Sequence, residues 1–257
     1  MVVSLKQTVY QVAHDPIVVE DVYEDTVSPV LLRRLLDSAQ GSDESRDCCM
    51  TNGITKMVDG TVGVAATYRP DCSLSCLAFA TLTRALIVRF SPPGVPATPG
   101  QREKVSRGRG FLRDHILCDP DVQLYGYRMD RITTSLFLEL KLRINAAVDI
   151  LSVSLQHDRH SLEAIMSALG GELLLQKENV NALFLHGEEN SAPANVAIQA
   201  WAVCHAAALT HMASRYAPLS RIATNSMPDI VCNLHHARQR LTLDRNVVSE
   251  NPGQILS

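Results

Sequence analysis

The side chains of this chain with the clearest capacity for chemistry are cations. Arg102, Lys104, Arg107 and Arg109, with Arg113 just beyond, recur every two to four positions through a stretch rich in proline and glycine, a spacing that lets a segment track a phosphate backbone. No aromatic residue is interleaved within Ser91–Gly110 to stack a base, so a solvated insertion fits the same composition. Metal donors are present but badly disposed. His205 and His211 are six residues apart, which on one helix turns them about 240° from one another and points them to different faces. Cys72 and Cys76 have no matching second pair, and the adjacent His235 and His236 diverge. The acidic cluster Glu20, Asp21, Glu24 and Asp25 contains no Asp-X-Glu pair at strand spacing and reads as a solvated acidic surface. No glycine set fits a phosphate loop or a dinucleotide fingerprint, and no serine sits on a nucleophile elbow.

The elements that must position these groups begin with Asp59–Asp71, a buried strand closed by a Pro70-Asp71 turn and followed by apolar runs at Leu77–Leu82 and Ala85–Phe90. Upstream, Ile17-Val18-Val19 reads as a short strand. Ser28-Pro29 then opens a helix over Val30–Ala39, with Ser28 as cap, and Gly41 begins a polar loop through Asp47. The proline and glycine content of Ser91–Gly110 excludes regular structure there, and Phe111–Leu117 reads as a short helix. A fourth strand is expected over Val122–Tyr127, a helix over Ile132–Glu139 and a fifth strand over Ile144–Leu151. Leu162, Ile165, Met166 and Leu169 make one helical stripe ended by Gly170-Gly171. A long helix runs from about Ala194 to Ala213, with Trp201 packed in the core, and a tail helix is expected over Ile230–Leu241.

The blocks Val62-Gly63-Val64-Ala65-Ala66-Thr67-Tyr68, Tyr125-Gly126-Tyr127-Arg128-Met129-Asp130, Asp158–Gly171 with Leu173–Lys177, and Trp201-Ala202-Val203-Cys204-His205-Ala206 together resemble the 3′-5′ exonuclease domain of the ribonuclease D and Werner-helicase type. The resemblance covers about residues 54–213. It implies a ribonuclease H-like α/β fold, a mixed sheet flanked by helices, in which carboxylates on the first strand, on a later helix and on the last helix hold two magnesium or manganese ions, and a tyrosine orients the attacking water. At the matching positions this chain has Ala65 and Thr67 for the first two acids, Asp130 for the third, His205 for the fourth and Trp201 for the tyrosine. Two-metal hydrolysis needs several anionic oxygens around ions about 3.5–4 Å apart. Ala65 has no side-chain oxygen, Thr67 only a neutral hydroxyl, and His205 a nitrogen that suits softer metals.

The resemblance therefore implies a pseudo-nuclease without metal cofactor: a scaffold or nucleic-acid-binding subunit of an RNA-processing or ribonucleoprotein complex, with protein partners, single-stranded RNA or DNA as a ligand, and Arg102, Lys104, Arg107, Arg109 and Arg113 on the rim of the old cleft. The alternative is an active Mg²⁺- or Mn²⁺-dependent exonuclease with displaced ligands such as Asp59 or Asp71. The expected division is an N-terminal extension over 1–53, the exonuclease-like domain over 54–215 and a helical tail over 216–257. At 257 residues the chain has length enough for one such domain with extensions. A net charge of −3 exerts no general pull on nucleic acid, so binding must come from a local patch. Seven cysteines, an odd set that includes Cys48-Cys49, read as reduced thiols of a soluble intracellular protein. The N-terminus has no continuous apolar core, and Asn190–Ser214 is too polar to span a bilayer.

Overall fold

Strand β3, Thr61–Tyr68, is buried along most of its length and touches helices on both faces of a sheet. Val62 and Val64 face one apolar cluster and Ala65 the other, the two-residue alternation of a strand between two helical layers. The computed structural model describes residues 1–37, 60–92, 94, 98–154, 158–185 and 192–227. The expected loop Gly41–Asp47, Cys48-Cys49, Asp59, His235-His236 and the tail helix over Ile230–Leu241 lie outside the described residues.

Around β3 the strands β1 (Val2–Leu5), β2 (Ile17–Tyr23), β4 (Leu74–Ala80), β5 (Arg84–Arg89), β6 (Gln123–Gly126) and β7 (Ala147–Asp149) complete one mixed sheet in the order β1-β2-β5-β4-β3-β6-β7. β4 runs antiparallel to both β3 and β5, whereas β6 and β7 extend the sheet in parallel. This is a mixed α/β architecture consistent with a ribonuclease H-like fold. Residues before position 54 join the same sheet, since β2 pairs in parallel with β5 and β1 closes the edge antiparallel to β2.

Helices α1 (Pro29–Asp37), α2 (Pro99–Leu112) and α3 (Met129–Leu140) cover one face of the sheet. Helices α4 (Leu162–Ala168), α5 (Lys177–Phe184), α6 (Pro193–Ala208) and α7 (Thr210–Tyr216) cover the other. The Ser28 hydroxyl accepts from the Leu31 N–H at 3.3 Å, and the Ser161 hydroxyl accepts from the Ala164 N–H at 3.2 Å, so two starts follow ordinary capping chemistry. The expected long helix over 194–213 is two helices, α6 and α7, separated at Leu209, whose backbone is extended.

The stretch Ser91–Gly110 departs from expectation. Its second half is α2, begun by Thr98, whose hydroxyl accepts from the Gln101 N–H at 3.3 Å, and by Pro99 in the first turn. A proline at that position loses no hydrogen bond, because the first helical N–H groups have no intrahelical acceptor. Gly108 has a packing reason: a Cβ there would lie 1.8 Å from the Glu24 carbonyl oxygen, so the helix reaches the turn at Glu24–Thr26 only with a bare Cα. The helix continues through one wide turn at Arg113–Leu117, which absorbs the short helix expected at Phe111–Leu117.

Candidate nucleic-acid interface

The end of β3 opens into a cleft of about 350 Å³ bounded by the starts of α3 and α6 and by the end of α5. The pairing with β4 slips between Thr67 and Tyr68, and such a bulge re-aims side chains. Ala66, Thr67 and Tyr68 in succession consequently line the cleft. Its cations are Arg69, Arg128 and Arg131, and among the described lining residues there is no carboxylate. Arg128 heads α3 in the left-handed region at φ 54°, a conformation that costs a non-glycine residue about 1 kcal/mol. Its guanidinium carbon lies 5.3 Å from the Tyr127 ring centroid, and that of Arg131 lies 3.8 Å from the Tyr68 centroid. Arg69 donates to the Ser73 hydroxyl at 3.2 Å, to the Leu74 carbonyl at 2.5 Å and to the Phe90 carbonyl, and so fixes the β3–β4 turn at the cleft mouth. Burial pushes the Tyr68 hydroxyl up to about 12, against the opposing pull of Ser135 and Arg131, so it is protonated at neutral pH.

Each position matched by resemblance has a definite place. Ala65 is buried under α6. Thr67 lines the cleft, its hydroxyl 3.0 Å from the Cys76 sulfur. Asp130 is exposed in the first turn of α3, with its carbonyl accepting from the Thr133 and Thr134 hydroxyls. Trp201 is in the core, as expected, donating from Nε1 to the Leu82 carbonyl at 2.8 Å. His205 is buried beside it, with ring centroids 4.2 Å from Tyr10 and 4.6 Å from His14. Burial, with His14 next to it, holds the His205 imidazole down to about 3. Neither Trp201 nor His205 lines the cleft.

Those places are taken by Asn195 and Gln199, six residues earlier on α6 and at the same four-residue spacing. The crossing of α6 over β3 explains the offset. Gly63 lies against the backbone of Ala200 and Cys204; the Cys204 thiol reaches the Thr61 carbonyl at the start of β3 while Asn195 and Gln199 share the cleft with Thr67 and Tyr68 at its end, so α6 runs opposite to β3. The end of the strand, at Thr67, therefore meets the start of the helix. Gly63 was the available signal, because a glycine in a strand marks a close backbone approach. Asp149, at the end of β7, accepts from the Leu151 N–H and from Arg159, each at 3.1 Å, and serves as a cap.

The five basic residues expected on the rim have separate roles. Arg109 donates from Nε to Glu24 at 2.7 Å, and Glu24, which also accepts from the Ser91 N–H, is fully buried. Arg107 pairs with Glu103 on the exposed face of α2, and Arg113 with Asp114. Arg102 and Lys104 are exposed and make no ion pair among the described residues. Removing one partner of a buried pair leaves an uncompensated charge. Arg109→Ala is thus expected to cost about 3 kcal/mol in urea denaturation, whereas Arg107→Ala, breaking an exposed pair, is expected to change stability by less than about 0.5 kcal/mol.

Among the described residues no three His, Cys, Asp or Glu side chains are grouped to hold a metal ion. The donor set at the cleft, two neutral amides, three hydroxyls, one thiol and three guanidiniums, does not fit a pair of magnesium ions, which take anionic oxygen. No described helix is long and apolar enough to cross a membrane.

No protein-family model and no curated protein matches the chain. Among solved structures it is similar to Trypanosoma brucei RNase D in complex with GMP, at TM-score 0.39 and 12% identity over 92% of this chain and 66% of that one. It is also similar to Trypanosoma brucei RNase D alone, at TM-score 0.39 and 11% identity over 92% of this chain and 75% of that one.

Proposed function

We propose that this chain is a nuclease-like module that holds a nucleic-acid single strand in the cleft at the end of β3 without hydrolysing it by two-metal chemistry, and that it acts as a binding or scaffold subunit of an RNA-handling assembly. The observation that carries the reading is the composition of the cleft: Arg69, Arg128 and Arg131 with Tyr68, Tyr127 and Phe184, and no carboxylate among the described lining residues. Guanidiniums match phosphate oxygens in a planar fork, and aromatic and guanidinium faces stack bases regardless of sequence. The acids that would hold metal ions would repel the same phosphates, so their replacement by neutral groups favours retention of a strand. With an overall charge of −3, attraction is confined to this local patch.

The experiment is incubation of 5′-labelled single-stranded RNA and DNA with the protein in Mg²⁺ and Mn²⁺, read both for cleavage and by filter binding across a salt series. Retention without a ladder, weakening as salt rises, is expected. Arg131→Ala should weaken binding roughly tenfold, the worth of one charge-assisted hydrogen bond, and should lower the salt slope by about one. A 3′-to-5′ ladder that disappears in Asp130→Ala would overturn the reading in favour of an active exonuclease. Absence of binding at low salt would leave only a protein scaffold.

A further inference from the structure

We infer that Gln199 reads the base held in this cleft, favouring adenine and cytosine, which carry an exocyclic amino group, over uracil and hypoxanthine, which carry a carbonyl at the corresponding place; the inference rests on the strand-holding reading above. Gln199 lies on the cleft-facing stripe of α6, one turn after Asn195. Its amide is not free to rotate. Nε2 donates to the Leu183 carbonyl at 2.6 Å, a contact that the amide oxygen could not make without repulsion, so the donor end is anchored to α5. The other end, Oε1, is left as an acceptor on a half-exposed side chain that lines the cleft. A fixed amide dipole is what base discrimination requires, because a freely rotating one would offer a donor to keto bases as readily as an acceptor to amino bases.

The rest of the cleft supplies what Gln199 lacks. Arg131 over the Tyr68 ring makes a guanidinium platform on which a base can lie. Phe184, edge-on to Tyr127 at 5.1 Å between centroids, closes the opposite wall near Leu183. The arginines donate only, so they satisfy phosphate and base acceptors but cannot accept from an amino group. With no carboxylate in the described lining, the acceptors available to an amino group come from neutral groups, and the Gln199 oxygen is one whose orientation the Nε2–Leu183 hydrogen bond sets. The cleft volume of about 350 Å³ is of the order needed for one nucleotide.

The test compares short homopolymers of adenosine, cytidine, uridine and inosine for binding to the full chain at one salt concentration, alongside the Gln199→Met variant. Inosine replaces the adenine amino group by a carbonyl, so the adenosine-to-inosine comparison on the unaltered protein needs no assumption about how a variant folds. Adenosine and cytidine oligomers are expected to bind roughly fivefold to tenfold more tightly than inosine and uridine, and Gln199→Met should bring all four to the weaker level. Equal, salt-sensitive binding of all four by the unaltered protein would overturn the inference while leaving the strand-holding reading intact. A preference that survives in Gln199→Met would also overturn it, and no binding of any of the four would defeat both.

Discussion

Gly63→Val is expected to destabilise the chain by about 4 kcal/mol or more, at the far end of what single substitutions do, and to abolish a cooperative thermal transition. A Cβ on Gly63 would lie 2.0 Å from the Ala200 carbonyl oxygen and 2.7 Å from the Cys204 nitrogen. Both are backbone atoms of a buried helix, so no side chain can swing aside. Relief requires α6 to move off the sheet, and α6 is the element that sets the cleft wall and packs Trp201. Gly110→Ala is the control, since its Cβ meets nothing within 4 Å; it should raise stability by about 0.5–1 kcal/mol through helix propensity. A Gly63→Val protein that melts like the parent would mean that the β3–α6 crossing is looser than described.

Acid is expected to unfold this protein through His205. The folded imidazole, held at about 3 by burial and by His14, lies below the ordinary value of 6.5. As pH falls, the unfolded chain therefore takes up the proton first. The contribution is fully present above about pH 6.5 and is lost as pH drops toward 3, at roughly 1.4 kcal/mol per unit, or about 3 kcal/mol by pH 4. His14, also lowered by burial, adds in the same direction. Both ring nitrogens of His205 lack a hydrogen-bond partner among the described residues, so His205→Phe keeps the contacts with Tyr10 and Trp201 and removes only the titration. Urea midpoints between pH 4 and 7 should fall steeply for the parent and distinctly less for His205→Phe. Parallel curves would mean that another group controls the acid limb.

These two sites also mark where the sequence stopped being legible. The strands at 61–68, 74–80 and 84–89 correspond to the apolar runs expected at Asp59–Asp71, Leu77–Leu82 and Ala85–Phe90, the second beginning earlier, at Leu74, and ending before Thr81. The helix start at Ser28 follows from capping, and in the structure the same chemistry at Ser161 opens the stripe read over Leu162–Leu169. α2 was not legible because proline and glycine counts signal loop on average, whereas Thr98 as cap, Pro99 in the first turn and Gly108 against the Glu24 carbonyl each place such a residue where a helix tolerates or needs it.

Local chemistry in the sequence by itself determined strands β2 to β7, the helix start at Ser28 and the absence of acids at Ala65 and Thr67, because strand period, capping and side-chain type are properties of neighbouring residues. Only the tertiary structure decided which stripe of α6 faces the cleft. That helix is apolar nearly all round and buried at almost every position from Val196 to Ala208, so its periodicity carries no phase. The phase is set by one long-range contact, Gly63 under Ala200 and Cys204, which sends Trp201 and His205 into the core and brings Asn195 and Gln199 to the cleft. The same holds for Arg109, whose spacing with its basic neighbours suggests a phosphate track but whose partner is a buried glutamate far away in the chain. Charge pairing across folded elements depends on distances that no local pattern encodes.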